Sequence, residues 1–410
     1  MSPAPDTYFR KGFGLKGAVH DTLSADYNGQ LVDLLRARDF VLTAGPVTVR
    51  LAREFGFCYG VERAVEYAYQ TRAKFPDRRI FLAGEIIHNP HVNAKLREMG
   101  IVFLAAGESG FDYTSVRPDD VVILPAFGVT IHDFDTLRAI GCVMVDTTCG
   151  SVLNVWKRVE SYAKDGLTSL IHGKYYHEET RATASQVEKY ENGNYIVVRD
   201  MRQARDVCDY IERKGLDRAA FLERYAKQAG PRFDPDVHLA RIGVANQTTM
   251  LARESLAIGE EVGKAMARAR GDAYRAANFR TFDTICSATQ DRQDAVNELL
   301  EKPLDVMLVI GGYNSSNTIS LAALCAERLP TFHVSDASCI DPGAGTISHM
   351  APGGTGEIET RDWLGSPGTG ASVRVGLTAG ASTPNNKIGE AVARVFATRG
   401  IDPATISGTM

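Results

Sequence analysis

Short apolar runs alternating with helical periodicity constrain this 410-residue chain more tightly than any other feature. From Val47 onward the clearest runs are residues 80–83, 121–124, 169–171, 195–198, 242–245, 306–310 and 375–377. Several are apolar at every position rather than at alternate ones. A strand apolar on both sides needs cover on both faces, which helices supply to parallel sheets. The expected class is therefore α/β.

Polar chemistry follows the same rhythm. His88 and Asn89 come after the run at 80–83, and Phe127 after that at 121–124. The run at 169–171 leads into His172, His177, Glu178, Glu179 and Thr180; that at 242–245 leads into Gln247, Thr248 and Thr249. Residues 311–317 and Ser382 follow the last two runs. Ligands of open α/β sheets bind beyond the carboxyl ends of the strands, so this regularity outlines a site.

Three cysteines share one local setting. Cys58 stands in Phe57-Cys58-Tyr59-Gly60-Val61, Cys149 in Asp146-Thr147-Thr148-Cys149-Gly150, and Cys286 in Asp283-Thr284-Ile285-Cys286-Ser287. Helical spacing follows each, in Val61, Ala64, Val65 and Ala68, in Val152, Trp156, Val159 and Ala163, and in Ala295, Val296, Leu299 and Leu300. A thiolate at a helix N-terminus is stabilised by the backbone N–H groups and the helix dipole. Three such thiolates suit one metal centre, and an iron–sulfur cluster with one iron open takes three. A lone cysteine is more often a small buried hydrophobe; Cys142, Cys208 and Cys325 fit that description, while Cys339, in a loop, is the other candidate ligand. The sequence has no CxxC pair, which removes the usual support for zinc-finger or thioredoxin chemistry.

The stretch 311–317, Gly-Gly-Tyr-Asn-Ser-Ser-Asn, has the glycines and donors of a phosphate cradle ahead of a helix, and equally the composition of a plain connector. It lacks the Lys-Ser/Thr of a Walker A loop. Ser382 is a second candidate of the same kind. His88 and His177 suit hydrogen bonding to an anion; zinc held by His88, His177 and Glu179 is a possibility that their spacing does not demand. Glu179 is the carboxylate expected to donate a proton, against the alternative of an acid favoured at a helix N-terminus.

A net charge of −4 gives no case for nucleic acid as the main partner, and no apolar run approaches membrane-spanning length. The N-terminus has neither the basic nor the apolar region of a signal peptide, and seven cysteines suggest a reducing compartment, so a cytoplasmic location is expected. Residues 1–46 read as an extension with a helix near 25–38. Its Gly12-Phe-Gly14-Leu-Lys-Gly17 follows no strand and is expected to be a flexible arm rather than a dinucleotide motif. Two insertions stand out: a charged helical one at 213–241 and a Gly/Pro-rich one at 336–372, expected to be loop.

Taken together, Gly56-Phe-Cys58-Tyr-Gly-Val61, Ile87-His88-Asn89, Asp146-Thr-Thr-Cys149, His177-Glu-Glu179-Thr180, Gln247-Thr248-Thr249, Ile285-Cys286-Ser-Ala-Thr289, Asn314-Ser-Ser-Asn317 and Thr378-Ala-Gly-Ala-Ser382 resemble the 4-hydroxy-3-methylbut-2-enyl diphosphate reductase family. The resemblance runs from about Val47 to the C-terminus, insertions excepted. It implies three similar α/β domains with parallel-type sheets in pseudo-threefold arrangement around a central iron–sulfur cluster. On this sequence the expected domains are 47–137 with Cys58, 138–280 with Cys149, and 281–410 with Cys286.

The resemblance further implies one 4Fe–4S cluster per chain, held by Cys58, Cys149 and Cys286, with one iron not bound by cysteine. His88, His177, Ser315, Ser316, Asn317 and Ser382 match the groups that hold the substrate diphosphate; Glu179 with Thr248 matches the proton-delivery pair. The implied reaction is reductive dehydroxylation to isopentenyl and dimethylallyl diphosphate, the last step of the methylerythritol phosphate pathway, with ferredoxin or flavodoxin as electron donor. Where many bacterial members carry histidine, this chain has Phe127, as in the plant and cyanobacterial branch, so that contact is lost, supplied elsewhere, or replaced by packing on the substrate's carbons. The rival enzyme reading is a cluster-dependent dehydratase or quinolinate-synthase type, which needs no external reductant. A cluster-based sensor is the non-enzymatic rival, and it has no need of an acid and a phosphate cradle.

Overall fold

A computed structural model describes residues 7–107, 110–282, 284–351, 354, 356–365 and 372–402. The chain folds into two discontinuous units. The first comprises residues 1–12, 75–86 and 100–286, and the second residues 13–74, 87–99 and 287–410.

The first unit carries two parallel sheets. One has the order Tyr8–Phe9, Val143–Asp146, Val121–Leu124, Ile80–Leu82, Ile101–Phe103. The other runs Phe279–Thr281, Ile242–Asn246, Thr168–His172, Tyr195–Val198. The strands Ile80–Leu82, Val121–Leu124, Val143–Asp146, Thr168–His172 and Ile242–Asn246 are buried at every position, which is why they are apolar or small along most of their length, with Asp146, His172 and Asn246 as buried polar residues at the carboxyl ends of the last three. Leu170, Ile196, Phe221, Tyr225 and Ile258 form the larger core of this unit. Phe221 and Tyr225 come from the helix Arg218–Tyr225, so the 213–241 insertion is helical, as expected, with Asp217 and Asp234 capping its helices.

The second unit is built on one mixed sheet. Its parallel centre is Thr331–Val334, Val306–Ile310, Val373–Ala379 and Val47–Leu51. Val41–Ala44 closes one edge antiparallel to Val47–Leu51. At the other edge lies an antiparallel meander of Ile340–Asp341, Thr346–Met350 and Glu357–Arg361. Leu35, Val49, Leu308, Val375, Leu377, Val392 and Phe396 fill the core on one face.

Every expected strand is present to within a residue or two. Four expectations change. The consecutive domains expected at 47–137, 138–280 and 281–410 do not follow the sheets. Val47–Leu51 pairs with Val373–Ala379, with Val49 opposite Val375, so the Cys58 segment shares a sheet with the C-terminal third. Val143–Asp146 pairs with Val121–Leu124, and a boundary at 137/138 falls inside the helix Ile131–Ile140.

The helix expected near 25–38 is two, Lys16–Tyr27 and Gln30–Ala37, broken at Gly29. A side chain at Gly29 would come within 2.6 Å of the Asn385 carbonyl oxygen, so only glycine lets the backbones pass. The glycine-rich segment before the first helix is held rather than flexible: the Gln70 side-chain oxygen accepts from the Phe13 and Leu15 N–H groups at 2.9 and 3.2 Å. Finally, much of the expected 336–372 loop forms the meander; residues 352–353, 355 and 366–371 lie outside the described residues.

Candidate active site

Each of the three cysteines occupies the same place on its sheet. The strands leading to them, Val47–Leu51, Val143–Asp146 and Phe279–Thr281, each run parallel to a neighbour: Val373–Ala379, Val121–Leu124 and Ile242–Asn246. Two residues beyond each neighbour's end, a carbonyl accepts the cysteine's N–H. Cys58 donates to Ala381 at 3.2 Å, Cys149 to Ala126 at 3.0 Å and Cys286 to Thr248 at 3.4 Å. A helix then starts at once, at Tyr59, Gly150 and Ser287. The shared setting expected from sequence is a shared backbone geometry.

The thiols divide accordingly. Cys142, Cys208 and Cys325 are buried in apolar cores, and burial pushes them up to about 11, 12 and 12. Cys58, Cys149 and Cys286 are only half-buried, each at a helix N-terminus where a thiolate is favoured. Cys339, the other candidate ligand, is also half-buried but lies on a short 3₁₀ turn, 3.3 Å from Ser335 Oγ and 3.7 Å from the Tyr313 hydroxyl. Cys58, Cys149 and Cys286, each half-buried at a helix N-terminus rather than packed in an apolar core, are a donor set that fits an iron–sulfur cluster.

The first unit gathers Phe127, His177, Glu179 and Thr248. Glu179 is 1 % exposed, and its carboxylate accepts from the Thr248 N–H at 2.6 Å and the Thr248 hydroxyl at 3.0 Å. His177 caps the helix Glu178–Ser185, its Nδ1 accepting the Glu179 N–H at 3.2 Å. An accepting Nδ1 puts the proton of the neutral ring on Nε2, which makes Nε2–H the donor. Phe127, half-buried, meets the His177 ring edge-on with centroids 5.5 Å apart. Glu178, by contrast, is 46 % exposed at its side chain.

The second unit gathers His88, Ser315, Ser316, Asn317 and Ser382, all buried. The Asn314 amide nitrogen lies 3.3 Å from His88 Nδ1, so the second histidine has the same tautomer as the first. Ser382 donates to the His88 carbonyl at 3.1 Å and lies 3.5 Å from Ser315 Oγ. Ser315 caps the helix Ser316–Ala326, putting Ser316 and Asn317 in its first turn, where backbone N–H groups face an anion. Asn317 Oδ1 accepts from the Ala381 N–H at 2.9 Å, while its Nδ2 is buried with no hydrogen-bond partner among the described residues. A buried donor of that kind suits an arriving oxyanion. At Gly312 a Cβ would stand 3.0 Å from the His88 carbonyl oxygen, a tight fit that a side chain could meet only if its neighbours gave way.

Three contributors were not singled out from sequence. Asn314 sets the His88 tautomer. Gln247, 1 % exposed, accepts from the Lys174 N–H and the Thr180 hydroxyl, both at 3.1 Å, tying the loop that carries His177 to the one that carries Thr248. Arg292 is buried on the helix after Cys286, and the sequence did carry a signal for it: it stands in register with Val296 and Leu299 on that helix's apolar stripe.

Comparison with known proteins is consistent with this arrangement. The family model described as LytB protein matches residues 49–396. The chain is 47% identical over 98% of its length to the 4-hydroxy-3-methylbut-2-enyl diphosphate reductase of Gloeobacter violaceus, covering 95% of that protein. It is 45% identical to the enzyme of the same name from Thermosynechococcus vestitus, covering 98% of this chain and 97% of the other. A solved (E)-4-hydroxy-3-methyl-but-2-enyl diphosphate reductase, described as the terminal enzyme of the non-mevalonate pathway, superposes with a TM-score of 0.51 at 26% identity, covering 85% of this chain and 98% of that one. The Plasmodium falciparum reductase shares the fold, with a TM-score of 0.61 at 20% identity over 85% of this chain and 87% of its own. With its family model matched over most of its length and relatives this similar end to end, the chain belongs to the LytB protein family.

Proposed function

We infer that this chain is an oxidoreductase that reductively removes the hydroxyl of 4-hydroxy-3-methylbut-2-enyl diphosphate, giving isopentenyl and dimethylallyl diphosphate at the end of the methylerythritol phosphate pathway. The observation that carries this reading is near-full-length likeness to reductases of that name. The overall change consumes two electrons and two protons and releases water. Cys58, Cys149 and Cys286 hold one 4Fe–4S cluster, one iron of which has no cysteine. When bound, that cluster supplies electrons singly and a Lewis-acidic iron.

The remaining work falls to the chain's own groups. The diphosphate is held by Nε2–H of His88 and of His177, by Ser315, Ser316 and Ser382, and by the Asn317 amide, whose Nδ2 is already desolvated. Glu179, protonated, delivers its proton to the departing hydroxyl oxygen. Thr248 fixes the carboxyl with two hydrogen bonds and relays the replacement proton through its hydroxyl. Phe127 packs on the substrate's carbon skeleton and excludes water. A ferredoxin or flavodoxin brings the electrons.

Anaerobic purification followed by turnover with a reduced ferredoxin or a viologen tests the reading. Both diphosphate products should form, and only with reductant present. Turnover without reductant would instead indicate a dehydratase. Serine at Cys58, Cys149 or Cys286 should abolish the brown chromophore, whereas serine at Cys208 or Cys325 should leave it; normal spectra and iron in all three ligand variants would refute the assignment.

A further inference from the structure

The turn that carries Cys58 is held by a buried cation. Arg292, on the helix Ser287–Leu300, is 3% exposed. Its Nη2 and Nε donate to the Gly56 carbonyl at 2.6 and 3.2 Å, Nη2 also reaches the Phe55 carbonyl at 3.5 Å, and Nη1 donates to Ala288 O at 2.8 Å. Gly56 is pinned from its other side too, its N–H donating to Ala379 O at 3.2 Å. Its φ is +66°, and a Cβ there would stand 3.0 Å from the Thr383 carbonyl oxygen, so any other residue would be strained. Two residues on, the Cys58 N–H makes its own bond to Ala381.

Among the described residues, every hydrogen-bond partner of this guanidinium is a neutral carbonyl. Glu62, in the first turn after Cys58, feels its charge, yet no carboxylate among the described residues forms an ion pair with it. Burying a charge is costly unless an opposite charge faces it, and arginine cannot escape the cost by losing its proton. The chain thus keeps a permanent positive charge against the backbone of the turn that carries Cys58, with no carboxylate among the described residues paired directly to it.

We propose that Arg292 is the counter-ion of the thiolate-ligated cluster: a positioning residue that fixes the Cys58 turn through Gly56 and whose charge raises the cluster's reduction potential. This rests on the reading of Cys58, Cys149 and Cys286 as cluster ligands. Reduction adds negative charge to the cluster, so a nearby fixed cation favours the reduced form. The two roles separate by substitution, because lysine keeps the charge but not the two-pronged hold on Gly56, and glutamine loses the charge.

The experiment compares wild type, R292K and R292Q after anaerobic reconstitution. Iron content is measured, together with the midpoint potential from redox titration followed by electron paramagnetic resonance. The wild type should load and titrate; a wild type without a reducible cluster overturns the cluster reading itself. R292Q should load less iron and titrate at a lower potential, whereas R292K should load less iron yet keep the wild-type potential. A wild-type potential in R292Q overturns the proposal while leaving the cluster reading intact. Should R292Q fail to fold or load, R292K decides alone: a displaced potential in R292K, whose charge is intact, overturns the proposal, and an undisplaced one supports it.

Discussion

At the scale of single residues, the sharpest test falls on two adjacent carboxylates. Glu179 is buried with its carboxylate bound twice by Thr248, while Glu178 is largely exposed. A positioned acid typically contributes about 10²–10⁴-fold in rate. Glu179→Gln should therefore keep the chromophore and bind substrate, yet turn over at least about 10²-fold more slowly in steady-state assays. Glu178→Gln should stay near wild type, and the reverse pattern would move the acid to the neighbour. Phe127→Ala removes a half-buried ring packed on His177. Its expected cost is about 1–3 kcal/mol in substrate affinity, measured as the dissociation constant, and Phe127→His should be tolerated or mildly harmful. These residues were legible because a short polar cluster beyond an apolar run is a local pattern. The histidine tautomers were not, since Asn314 and the Glu179 N–H set them through geometry.

At the scale of elements, the strand Thr168–His172 ends in an acid-sensitive group. His172 is fully buried, its Nδ1 2.7 Å from Ser255 Oγ, and burial lowers its pKa from 6.5 to about 4. The unfolded chain then binds this proton more tightly than the folded one. Stability is complete above about pH 6.5, falls as pH drops toward 4, and levels off below that, for a total of up to about 3 kcal/mol. Urea unfolding of the cluster-free chain at pH 7 and 4.5 should register the loss, and His172→Asn should flatten the pH slope whatever it does to the absolute stability. An unchanged slope would mean that His172 is charged in the folded state. The strand itself was plain from its sequence. That its last residue would be a buried base was not, because burial is decided by what packs around it.

At the scale of the whole molecule, the proposed cluster is a ligand of the folded chain. A group bound only by the folded chain stabilises it by mass action. Removing iron with a chelator under air should thus lower the melting temperature by several degrees relative to the anaerobically loaded protein, and reconstitution should restore it. Equal melting temperatures would argue against a structural contribution from the cluster.

The sequence by itself determined the α/β class, the strand positions, the turns that bear the cysteines and the placement of polar clusters at strand ends. All of these depend on side-chain periodicity within a few residues. Only the tertiary structure decided that Val47–Leu51 pairs with Val373–Ala379, that the Gly/Pro-rich insertion adds a meander to the Thr331–Val334 edge, and that the N-terminal segment is anchored by Gln70. The physical reason is common to all three. A buried apolar strand reads the same whichever partner completes its hydrogen bonds, and a long-range bond between backbone and side chain leaves no local periodicity to read.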